Sequence, residues 1–104
     1  MRSTSWGATA VNHEAELLYA ALGTVRTPAE WERLLEDWLT PRELEELTLR
    51  LDIARRLYQG QTYETIQQET GASSTTISRV RRCVFHGAGG YQLVLQRLGP
   101  PTTP

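Results

Sequence analysis

A glycine set between two short amphipathic segments restricts this chain more than any other feature. The stretch Gln61 to Phe85 reads QTYETIQQETGASSTTISRVRRCVF. Its periodicity predicts a helix from about Tyr63 to Thr70, a tight turn at Gly71 and Ala72, and a second helix from about Ser74 to Phe85. Ile66, Ala72, Ile77 and Val80 are spaced to hold the two helices together. That is a helix-turn-helix pattern.

The residues that the second helix turns outward are Ser73, Ser74, Thr75, Ser78, Arg79, Arg81 and Arg82, small hydroxyls first and guanidiniums after. Such a face suits a DNA groove. Backbone N–H groups and hydroxyls at the start of a helix hold a phosphate or approach base edges, and Ser78 continues the same face one turn later. Gln67 and Gln68, on the first helix, are further candidates for a base edge or a phosphate. Arg81 and Arg82 lie toward the far end and are expected on phosphates, each contact adding about one to the salt slope of binding. The bland alternative is a pair of surface helices around a glycine turn, or a helical interaction module that meets protein or RNA through this face, because fold does not fix function.

The distribution of charge favours the first reading. The 104 residues carry a formal net charge of −1. Residues 1–69 hold all twelve acidic residues and seven arginines, whereas residues 70–104 hold four arginines and no acid. Positive charge is therefore local to the candidate reading helix, which argues against a general basic coat. Lysine is absent altogether, so every basic side chain is a planar guanidinium able to fork onto phosphate or a guanine edge. The single cysteine, Cys83, cannot form an internal disulfide and fits a reducing compartment. No stretch approaches the roughly 20 apolar residues of a membrane span, and the amino terminus lacks a signal-like apolar run. The expectation is a soluble, cytoplasmic protein.

Read in order, the chain is all-α, with about six helices and no alternating strand. Residues 1–11, with Trp6, read as a flexible tail, and residues 100–104 as a second one; residues 12–99 make the single domain, with its helix-turn-helix at 62–85. A first helix is expected from about Asn12 to Leu22. Thr27-Pro28-Ala29-Glu30 is a start signal, in which threonine caps, proline fits the first helical position and Glu30 reaches back as a capping box. It opens a helix whose Trp31, Leu34, Leu35 and Trp38 face inward. Thr40-Pro41-Arg42-Glu43 repeats the device and opens the longest helix, to about Gln59. That helix bears two apolar rows, Leu44, Leu47, Leu51, Ala54 and Tyr58 beside Leu49, Ile53 and Leu57. Two rows exceed one packing face, so the helix is expected to touch its own domain on one side and a second copy on the other. Gly60 is placed to end it with a left-handed cap, and Thr62 to cap the next helix. After a glycine-rich connector, His86 to Gly90, a last helix is expected from Tyr91 to Leu98.

This order of elements, with LTPRELEEL, TYETIQQETGASSTTISRV and the closing GGYQLVLQRL, resembles the Trp-repressor superfamily over about Asn12 to Leu98, most of all its YerC/YecD group. The resemblance implies an intertwined homodimer whose two second motif helices enter successive major grooves of a partly palindromic operator, a docking for which Trp repressor is itself a standard example. It also implies a corepressor pocket, in which an indole lies between arginines beside a glycine. The matching residues are Arg50, Arg79 and Val80, with Thr40 at the edge and Cys83 where a hydroxyl residue helps hold the ligand's amino group. Valine in place of glycine projects into the space for the ring, so the pocket reads as vestigial and tryptophan binding is not expected. Arg50 and Arg79 then become candidates for salt bridges or for an anionic effector.

Other chemistry finds little support. His13 and His86 lack partners at metal-ligand spacing, and Cys83, expected to be buried, has only His86 nearby and no acid to orient it. The glycine run has neither the lysine nor the preceding strand of a phosphate-binding loop. The reading is a non-enzymatic regulator, a repressor in class, that binds double-stranded DNA as a homodimer and needs no cofactor.

Overall fold

The computed structural model of the protein describes residues 9–100; residues 1–8, including Trp6, and residues 101–104 lie outside the described residues. The described residues form six helices and no strand: α1 (Thr9–Leu22), α2 (Pro28–Trp38), α3 (Pro41–Tyr58), α4 (Tyr63–Thr70), α5 (Ser74–His86) and α6 (Gly90–Leu98). They fall into two compact units, residues 1–40 and residues 41–104.

In the first unit, α1 begins at Thr9, earlier than its apolar pattern implied. The Thr27 hydroxyl accepts the Glu30 N–H at 3.1 Å and caps α2. Glu30 returns one residue further than a capping box requires, its Oε1 accepting the Arg26 N–H at 2.8 Å. The inward assignment of the α2 stripe is corrected at its two tryptophans, while Leu34 and Leu35 are half-buried. No residue of α2 is buried, and Trp31 and Trp38 are 36% and 48% exposed.

The second unit carries the core. Ile53, Ala54 and Leu57 of α3 meet Ile66 of α4, Ala72 of the turn, Ile77, Val80 and Val84 of α5, and Leu95 of α6, with Leu49, Tyr63 and Tyr91 packed against them. The two rows of α3 thus separate except at Ala54, which belongs to the first row but is buried in the core. Leu49, Ile53 and Leu57 face the core, while Leu47, Leu51 and Tyr58 remain exposed at 40% or more. α6 divides in the same way, with Leu95 buried and Leu93, Val94 and Leu98 exposed.

The helix ends explain why α4 and α5 stand where they do. α3 stops at a Schellman cap, in which Gln61 N–H bonds to Arg56 C=O and Gly60 N–H to Leu57 C=O, each at 3.0 Å, with Gly60 at φ 89°. Thr62 then accepts the Thr65 N–H at 3.2 Å and starts α4. Gly71, at φ 76°, ends α4, its N–H bonding to Gln67 C=O. The Thr70 hydroxyl donates to Ile66 C=O at 2.6 Å and accepts the Ala72 N–H at 3.1 Å, fixing the turn. Ser73 accepts the Thr76 N–H at 3.1 Å and starts α5. α5 runs one residue past Phe85, and the Gln92 amide donates to Val84 C=O at 2.7 Å near its end.

Candidate nucleic-acid interface

α5 owes its orientation to a simple division of its sides. Ile77, Val80 and Val84 are buried, and Ser73, Ser74, Thr75, Ser78, Arg79, Arg81 and Arg82 are all exposed. Gln67 and Gln68 are exposed on α4, and the Tyr63 hydroxyl lies 3.4 Å from that of Ser78, joining the two helices on their outer side. The thirteen residues of α5 span about 20 Å, and a helix of this width fits the roughly 12 Å major groove. No acidic residue interrupts the exposed face. Arg81 is held by its own helix, its guanidinium 5.4 Å from the centre of the Phe85 ring, a cation–π contact one turn away.

Behind this face lies a cleft of about 500 Å³ between α3, α5 and α6, lined by Glu46, Leu49, Arg50, Thr76, Arg79, Val80, Cys83 and Tyr91. Four of the five residues assigned to the vestigial pocket, Arg50, Arg79, Val80 and Cys83, therefore meet; the fifth, Thr40, belongs to the first unit. The expectation that Cys83 is buried is wrong. It is exposed, because α5 turns Val80 and Val84 to the core and leaves Cys83 on the cleft side. Of the two roles open to Arg50 and Arg79, a salt bridge or an anionic effector, the salt bridge is not formed with any described residue; Glu46, the carboxylate in the cleft, is paired with Arg42 one turn back. Burial pushes the Tyr91 phenol up, with Cys83 adding to the shift and Arg50 opposing it, so Tyr91 stays a protonated donor at neutral pH.

Sequence reasoning missed Thr76, Tyr91, Glu46 and Leu49 as parts of this cleft. Thr76 was legible, since Thr76, Arg79, Val80 and Cys83 share one side of a helix at spacings of three and four. Tyr91 arrives from a different helix and leaves no local mark.

Residues 13–99 match the family described as Trp repressor protein. The chain belongs to the Trp repressor family. Its relatives include YerC, an uncharacterized protein of Bacillus subtilis (strain 168), which is 39% identical over 85 residues, covering 82% of each chain. The crystal structure of a TrpR like protein from Eubacterium eligens ATCC 27750 superposes with a TM-score of 0.78 at 35% identity, covering 88% of this chain and 94% of that one. A second crystal structure, from Staphylococcus aureus, gives the same TM-score at 36% identity over 88% and 91% of the two chains. Trp repressor family proteins are DNA-binding regulators and not enzymes. No helix among the described residues is long and apolar enough to cross a membrane.

Proposed function

We propose that this chain is a sequence-specific repressor that binds double-stranded DNA as a homodimer on a partly palindromic operator, and that it works in the cytoplasm. The observation that carries the reading is the face of α5, fixed by three buried residues and offering hydroxyls and guanidiniums without an acid. In this reading Ser73, Ser74 and Thr75 meet phosphate and base edges at the start of the helix, Ser78 and Arg79 follow, and Gln67 and Gln68 reach in from α4. Arg81 and Arg82 hold phosphates. The homodimer is supported by the apolar surface a single chain leaves open, Leu47, Leu51 and Tyr58 on α3 and Leu93, Val94 and Leu98 on α6, which is more than scattered surface residues account for.

The cleft is proposed to exclude tryptophan. Its volume is in the range of small-ligand sites, so exclusion rests on where Val80 stands and not on lack of room. Arg50 and Arg79, which are not spent on ion pairs, leave it suited to an anion.

Selection of bound sequences from a random duplex pool tests the function. The expected outcome is one enriched, partly palindromic motif whose half-sites lie about 34–36 Å apart or a multiple of that. Equal, weak binding to all fragments at physiological salt, with nothing enriched, would refute it and favour a protein- or RNA-binding module. Sedimentation at micromolar concentration tests the homodimer, which a species of 11.8 kDa would exclude.

A further inference from the structure

α4 is held by little. It has eight residues, and its two apolar anchors, the buried Ile66 and the half-buried Tyr63, both lie in its first half. A second attachment stands at its far end. The Arg56 side chain, 16% exposed, donates from Nη1 to Glu69 Oε1 on the last turn of α4 and to Gln61 Oε1, 3.2 Å away, in the connection between α3 and α4. Its Nε donates to Asp52 Oδ2 on its own helix at 3.1 Å, and Asp52 also accepts from Arg55 at 2.6 Å. Arg56 is thus braced from behind by Asp52 and grips α4 in front.

Glu69 is otherwise badly placed. A carboxylate in the last turn of a helix opposes the macrodipole. Its position is explained by the guanidinium it meets. The hydrogen bonds that Arg56 donates to Glu69 and then to Asp52 raise its pKa above the ordinary value, so the guanidinium stays charged across physiological pH. Direction passes on from α4 to α5 through the Thr70–Ala72 turn and through the Tyr63–Ser78 hydroxyl pair.

We propose that Arg56 is a positioning residue for DNA recognition: by gripping Glu69 and Gln61 it fixes the direction of α4 on α3, and with it the angle at which α5 is presented, without itself touching DNA. This rests on the DNA-binding reading above. It assigns the angle of the reading helix to an ion-pair clamp within the chain.

The full chain carrying Glu69→Gln is the decisive variant, because Glu69 is half-exposed and its loss leaves the core untouched. Removing an acid near DNA strengthens binding if charge alone acts. The clamp predicts the opposite for the selected sequence, about a tenfold loss of affinity, with binding to random duplex equal or stronger and an unchanged salt slope. Arg56→Met should show the same split and Arg56→Lys a partial recovery of selectivity, while thermal melts confirm that each variant is folded. Wild-type or tighter binding of Glu69→Gln to the selected sequence overturns the proposal. So does an Arg56→Met variant that weakens on all sequences alike with a slope lower by about one, since that marks a phosphate contact. A wild-type protein with no preferred sequence refutes the DNA-binding reading instead. Hydrogen exchange without DNA then judges the clamp alone: faster exchange at Gln67 to Thr70 in Glu69→Gln, with α3 unchanged, upholds the grip on α4, and unchanged exchange there refutes it.

Discussion

The side chain of Gln92, in the first turn of α6, closes the end of α5 by donating to the carbonyl of Val84 at 2.7 Å. Val84 is itself almost fully buried, so the oxygen lies where water cannot easily replace the donor. Gln92→Ala should therefore cost about 1–2 kcal/mol in urea denaturation, and Gln92→Glu more, since a carboxylate brings no donor to that oxygen and repels it. Equal midpoints for wild type and Gln92→Ala would show that the bond contributes nothing.

Gly87 follows α5 directly, and a methyl group at its Cα would overlap the carbonyl oxygen of Cys83. Because that neighbour is backbone, the connector has to move. Gly87→Ala should destabilise by roughly 1–3 kcal/mol, read as a lowered melting temperature, whereas Gly90→Ala, where a Cβ meets nothing, should change it little.

Calorimetric titration of the wild type with tryptophan should give no stoichiometric heat. Val80→Gly should restore binding if Val80 occupies the ring's place. That variant also loses a buried core side chain and gains a helical glycine, together a cost of roughly 3 kcal/mol, so the titration belongs at low temperature with folding checked by circular dichroism. A saturable heat from the wild type contradicts the reading directly.

Burial pushes the Asp52 carboxyl up, but hydrogen bonds from Arg55 and Arg56 outweigh it and hold the group below its ordinary value of 3.8. With the folded pKa below the unfolded one, the unfolded chain takes up the proton first. The stabilisation is complete above the unfolded value and is lost as pH falls through the folded one. Asp52→Asn should be less stable than wild type at neutral pH, with the two denaturation midpoints converging as the pH falls below the ordinary carboxylate range.

Arg82 and Ser74 should separate affinity from readout. Arg82→Ala is expected to weaken binding on all duplexes alike and to lower the salt slope by about one, while Ser74→Ala should change the selected sequence. A shifted motif in Arg82→Ala would exchange their roles.

Much of this architecture was legible because it is local. Thr27 and Thr62 each cap the helix they were expected to cap, since the donor lies three residues on and sequence spacing specifies the bond, and Ser73, expected only on the outward face, caps α5 at the same spacing. The two rows of α3 were visible, and so was the side of α5 that carries Ile77 and Val80. What escaped depends on distant partners. The burial of Trp31 and Trp38 was inferred from residue type, yet burial requires a covering surface, which sequence periodicity does not provide. Cys83 was judged by the habits of cysteine, but the rotation of α5 about Val80 and Val84 decides its exposure. Arg56 and Glu69, thirteen residues apart, meet only because the Gly60 cap turns the chain back.

Val80 belongs to two structures at once, since its side chain is 5% exposed in the core and also lines the cleft. Those two memberships tie the shape of the cleft to the stability of the fold. A descendant that shortened this side chain to widen the cleft would weaken its fold before any ligand was there to compensate, so selection on folding alone holds the position where it is. A new effector would more easily be acquired through Cys83 or Thr76, which line the same cleft without belonging to the core.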